Sequence, residues 1–119
     1  MADGNAVFIV DDDASVRRSL ERVLRSHGFD AIGFDSGAAL RDHNNFEQAR
    51  CLVIDINLGN ESGIDLRQEL QDEGVSLPVI FITGNDTQAT RRAAMKSGCL
   101  AYLTKPFAAS VLIQSIEQA

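Results

Sequence analysis

Short apolar runs alternate with segments of helical period along the whole of this 119-residue chain, and no other feature constrains its fold as strongly. The runs predict strands over Val7–Val10, Asp30–Phe34, Cys51–Asp55, Pro78–Thr83 and Leu100–Thr104. Helices fill the gaps. The first places Val16, Leu20, Val23 and Leu24 on one face, with Asp13 positioned to cap its start and Gly28 to end it. A second runs from Ser36 to Asn44, and a third follows Ser62 with Ile64, Leu66 and Leu70 apolar and Gly74 as terminator. The fourth begins near Asp86 and stops at Gly98, and the last carries Val111, Leu112 and Ile116. The predicted class is therefore α/β, a five-stranded parallel sheet wound on both faces, (βα)5.

Length and composition add bounds. A chain of 119 residues suits one domain, residues 1–119, with a core that needs no disulfide or metal staple. Its formal charge of −6 and the lack of a Lys/Arg stripe argue against nucleic-acid binding by this segment. Cys51 and Cys99 have neither metal-ligand spacing nor a CxxC pairing, so they read as packing residues in a reducing compartment. The residues from Met1 to Ala6 carry no secretory leader pattern, and no apolar run reaches membrane-spanning length. These features predict a cytoplasmic protein with no membrane partner.

Parallel strands joined by right-handed crossovers put all their C-terminal ends on one edge, where open α/β sheets bind ligands. The residues there are Asp11, Asp12 and Asp13 after the first strand, Asp55 after the third, Thr83 after the fourth and Lys105-Pro106 after the fifth. Asp13 is explained by helix capping alone. Asp11, Asp12 and Asp55 crowd like charge if the first and third strands are neighbours, and a hard divalent cation such as Mg²⁺ relieves that repulsion. Phosphoryl transfer needs an in-line nucleophile and positive charge around the equatorial oxygens. Asp55 suits the nucleophile, Mg²⁺ and Lys105 the positive charge, and Thr83 a hydrogen bond to the transferred group.

The set Asp11-Asp12, Asp55, Thr83 and Lys105-Pro106 on a five-fold βα chain resembles the receiver domain of two-component response regulators. Val7 to Asp13 and Pro78 to Gly84 look most like receivers of the FixJ type of transcriptional regulators. The resemblance implies a flavodoxin-like sheet of strand order 2-1-3-4-5. It implies phosphorylation of Asp55 by a sensor histidine kinase or a small phosphodonor, and Mg²⁺ held by Asp12, Asp55 and the backbone carbonyl of Asn57, with Asp11 acting through water. Lys105 would pair with the phosphoryl oxygens, and its bond to Pro106 would be cis. Thr83 and Tyr102 match the family's switch pair. Their movement would alter the face of the fourth helix, fifth strand and fifth helix, on which a phosphorylated homodimer or an effector would form. Asn57 and Asn85 would flank the path of the hydrolytic water. The output, control of transcription in such regulators, would lie in a domain absent from this chain.

The chain departs from the family pattern at Leu58-Gly59, where Met-Pro is usual. Glycine for proline removes a backbone restraint and predicts a more mobile loop with weaker Mg²⁺ binding. Gly63 matches a family glycine. Arg91-Arg92 reads as solvated surface. Of the competing classes, a haloacid-dehalogenase-type phosphatase would carry its Asp nucleophile on the first strand with a second acid two positions on, where this chain has Asn57. A flavodoxin-like flavin or nucleotide binder would have a phosphate-cradling first loop, which three aspartates oppose. A receiver-like docking module that is not phosphorylated is the remaining alternative.

Overall fold

The computed structural model of the chain describes residues 4–119. Five strands, β1 (Ala6–Val10), β2 (Asp30–Phe34), β3 (Ala49–Asp55), β4 (Val79–Thr83) and β5 (Ala101–Thr104), alternate with five helices. The helices are α1 (Ala14–Ser26), α2 (Gly37–His43), α3 (Gly63–Asp72), α4 (Gln88–Lys96) and α5 (Ala109–Glu117). All pairings in the main sheet are parallel and its order is β2-β1-β3-β4-β5, the flavodoxin-like arrangement.

The central strands are apolar along their middles because both faces are covered. Side chains alternate between the faces. Phe8, Val10, Leu52, Ile54 and Phe81 join Leu40 of α2, Leu66 and Leu70 of α3 and Ala94 of α4 in one core. Val7, Ile9, Val53, Ile80 and Ile82 join Leu20 and Leu24 of α1 and Leu112, Ile113 and Ile116 of α5 in the other. Burying each large side chain contributes about 1.5–3 kcal/mol before conformational entropy is counted.

Side-chain caps fix where most helices begin. Asp13 accepts from the N–H groups of Ser15 and Val16, Ser36 from Ala39, Ser62 from Ile64 and Asp65, and Thr87 from Thr90. Helix α4 therefore starts after Thr87 rather than at Asp86, which leaves the Asp86 side chain free for another role. Asn44 ends α2 in the left-handed conformation at φ 51°. Both cysteines are free thiols, and burial pushes the Cys51 thiol up to about 12, as suits a packing residue. Among the described residues, no helix is long and apolar enough to cross a membrane.

Candidate functional site

Asp11 and Asp55 leave the ends of adjacent strands, because β1 and β3 are paired. Asp11 is fully buried, Asp55 nearly so, and Asp12 is exposed. Carboxylate oxygens of the three lie within 4.8 Å of one another. Lys105 reaches across the mouth from the end of β5, its Nζ 2.9 Å from Asp55 Oδ2 and 3.1 Å from Asp11 Oδ2. The other Asp55 oxygen, Oδ1, accepts from the Asn57 N–H at 2.9 Å. The Asp13 N–H donates to Asp11 Oδ1 at 2.9 Å, and Arg17 donates to the Asp11 carbonyl at 2.7 Å.

One lysine serves two buried carboxylates, so the cluster keeps an excess of negative charge. Burial raises the Asp11 carboxyl above its ordinary range, against the opposing pull of the Asp13 N–H and Lys105. For Lys105, burial works against the ammonium, but its bonds to Asp55 and Asp11 outweigh that and raise its pKa. Three carboxylates at one mouth, one of them exposed, form a hard, oxygen-only donor set open on one side. That chemistry fits Mg²⁺, which takes one or two carboxylates and keeps several waters.

Thr83 at the end of β4 is fully buried. Its hydroxyl donates to Asn57 Oδ1 at 3.0 Å and accepts from the Asn85 N–H at 3.0 Å. The Lys105–Pro106 peptide bond is cis, and the Lys105 N–H donates to the Thr83 carbonyl at 2.8 Å. Tyr102 lies one strand over, on β5, half-buried, with its hydroxyl donating to Asp86 Oδ1 at 2.8 Å. Arg91 pairs with Asp86 Oδ2 at 2.6 Å and lies 5.0 Å above the Tyr102 ring. Arg91 is solvent-exposed, as read from the sequence, and makes these two contacts at the surface. The sequence offered no sign of the pairing with Asp86, since a separation of five residues is not a helical pair.

The loop after Asp55 takes a defined turn geometry. Asn57–Leu58 and Glu61–Ser62 pair as a two-residue antiparallel hairpin across Gly59-Asn60. Gly59 sits at φ +62°, a value proline cannot reach, so the turn as built excludes the family's usual proline. A Cβ at Gly59 would stand 3.8 Å from Asp12 Oδ2, which puts the turn against the acidic cluster. Gly63 follows, packed so closely on the Asp55 carbonyl that a Cβ would collide with it.

Residues 7–117 match the response regulator receiver domain family. Nodulation protein W of Bradyrhizobium diazoefficiens is 36% identical over 110 residues, a match covering 92% of this chain and 48% of that protein. The transcriptional regulatory protein FixJ of Rhizobium meliloti is 34% identical over 113 residues, covering 95% of this chain and 55% of that one. The chain thus spans about half the length of these relatives. Among solved structures, the crystal structure of FixJ-N has a TM-score of 0.84 at 35% identity, covering 99% of this chain and 94% of that one. The response regulator StyR has a TM-score of 0.85 at 42% identity, covering 95% of this chain and 57% of that one.

Proposed function

Since this chain belongs to the response regulator receiver domain family, we propose that it is a phosphoacceptor, taking a phosphoryl group from the phosphohistidine of a sensor histidine kinase onto Asp55. The observation that carries this reading is the setting of Asp55. It ends a central strand, one oxygen is held by Lys105 and the other by the Asn57 N–H, and two further carboxylates lie beside it.

In the reaction an Asp55 oxygen attacks phosphorus in line, the bond from phosphorus to the donor imidazole nitrogen breaks, and the imidazole leaves with that electron pair. Lys105 already touches Asp55 Oδ2 and is placed to follow the charge onto the phosphoryl oxygens. Mg²⁺, held by Asp12, Asp55 and the Asn57 carbonyl with Asp11 acting through water, would supply further positive charge at those oxygens. Thr83 then turns its hydroxyl from Asn57 to the phosphoryl group. Tyr102 moves into the space vacated, and the face of α4, β5 and α5 changes its binding properties.

Residues 1–119 act in this reading as one cytoplasmic receiver domain, an acceptor that assists its own phosphorylation and hydrolysis. Homodimerisation through the α4-β5-α5 face and control of transcription follow as outputs, the latter by analogy with relatives named as transcriptional regulators.

Intact-protein mass after incubation with acetyl phosphate tests the proposal, with and without Mg²⁺, on the wild type and Asp55→Ala. The expected result is a Mg²⁺-dependent gain of one phosphoryl group that vanishes in the variant. A folded wild type that gains nothing from acetyl phosphate or a kinase would leave a docking module that is not phosphorylated.

A further inference from the structure

We propose that Glu61 is a positioning residue for the acidic site, fastening the loop after Asp55 to the start of α2; the inference rests on the phosphoacceptor reading and concerns how its metal-binding loop is held. Glu61 lies on the second arm of the hairpin whose first arm is Asn57–Leu58. Its Oε1 accepts from the Gly37 N–H at 3.2 Å. That N–H belongs to the first turn of α2 and has no partner within the helix. The Ser36 side chain, which caps the same turn, is committed to the Ala39 N–H.

Gly37 is shaped to receive the carboxylate. A Cβ there would stand 2.6 Å from Glu61 Oε1, 2.8 Å from Oε2 and 2.9 Å from Leu66 Cδ1. The glycine therefore makes the seat that Glu61 fills, and the two positions fit one another across 24 residues of chain. One turn further along α2, Arg41 pairs with Glu69 of α3 and approaches Glu73 at 4.0 Å. Helix α2 is thus anchored to α3 at one end and grips the hairpin at the other.

The grip acts on the right segment. The hairpin carries Asn57, whose N–H holds Asp55 Oδ1 and whose side chain holds Thr83, and its turn packs against Asp12. A loop ordered before the cation arrives loses less entropy when its carbonyl becomes a ligand. Glu61 supplies that order in a chain whose turn is built on glycine.

The test measures amide hydrogen exchange over Asn57–Ser62 and calorimetric Mg²⁺ affinity in the wild type, Glu61→Gln and Glu61→Ala. Glutamine keeps an oxygen for the Gly37 N–H and removes the charge; alanine removes both. Alanine is expected to speed exchange and weaken Mg²⁺ binding about ten-fold, the low end of what outer partners of metal ligands contribute, while glutamine stays near wild type. Gly37→Ala, which keeps the Glu61 charge and fills its seat, is expected to act like Glu61→Ala. Faster exchange with unchanged affinity would overturn the positioning role, as would glutamine binding as weakly as alanine, which would mean simple charge attraction. A wild type that binds no Mg²⁺ would instead refute the metal-site reading itself, and the positioning role with it.

Discussion

The Thr83 hydroxyl donates its one hydrogen to Asn57 Oδ1 across 3.0 Å, so the proposed switch residue is already engaged in the resting molecule. Donation to a phosphoryl group on Asp55 requires that bond to break first. Asn57 thereby makes two contacts, through its backbone N–H to Asp55 and through its side chain to the proposed switch residue.

Asn57→Ala separates the two, because alanine keeps the backbone and removes the competing acceptor. A hydrogen bond of this kind is worth about 1 kcal/mol net, or about a five-fold shift in a two-state equilibrium. Beryllofluoride, a phosphoryl mimic, is expected to bind the variant about five-fold more tightly by NMR titration. Tighter binding that persists equally in Thr83→Ala/Asn57→Ala, compared with Thr83→Ala alone, would show that the gain does not pass through Thr83.

The crowded carboxylates set a second expectation. Lys105 is shared by Asp11 and Asp55, and Asp55→Asn leaves a one-to-one pair of Asp11 with Lys105. The variant should lose phosphorylation yet resist urea better than wild type by about 1 kcal/mol in the absence of Mg²⁺. Added Mg²⁺ should stabilise the wild type by mass action and leave the variant nearly unchanged. Equal responses to Mg²⁺ would remove Asp55 from the metal site.

The five strands were legible because each is a compact apolar run and a parallel sheet buries both faces. The strand-end groups were legible too, since topology alone sends Asp11, Asp55, Thr83 and Lys105 to one edge. Boundaries shifted where caps rather than apolarity decide them: Thr87 starts α4 and so frees Asp86 to meet Tyr102. The hairpin after Asp55 was missed, although Gly59-Asn60 between Leu58 and Glu61 is a two-residue turn signal. The contact of Glu61 with Gly37 was invisible, because no local pattern links residues 24 positions apart.

Tyr102 offers a direct readout of its contact with Asp86. Burial, aided by the hydrogen bond to Asp86, pushes the phenol up to about 12 from its ordinary value of 10.0. The folded protein therefore holds this proton after the unfolded chain has released its own. The stabilisation is complete below pH 10.0 and is lost as the pH rises toward about 12. Tyr102 is the only tyrosine and the chain has no tryptophan, so tyrosinate absorbance reports this group alone. Asp86→Ala should move its midpoint down toward the ordinary value. A midpoint unmoved by that substitution would mean that Asp86 does not hold the ring in solution.

Gly63 joins stability to the site through one atom. The glycine begins α3 directly against the Asp55 carbonyl, and a Cβ there would also stand 2.7 Å from Ile54 Cγ2. Neither neighbour yields easily, because Ile54 is fully buried and the Asp55 backbone belongs to a central strand. Gly63→Ala should therefore destabilise the fold by about 1–3 kcal/mol in urea unfolding, the range of an overpacked core. Its phosphorylation rate with acetyl phosphate should fall as well, since relief of the clash displaces the strand end that carries Asp55, the proposed acceptor. Gly98→Ala provides the comparison: unlike Gly63, Gly98 lies at positive φ, +80°, and nothing stands within 4 Å of its Cβ, so it should lose stability through backbone strain and keep its rate. Equal losses of rate in the two variants would assign the effect to stability rather than to the placement of Asp55.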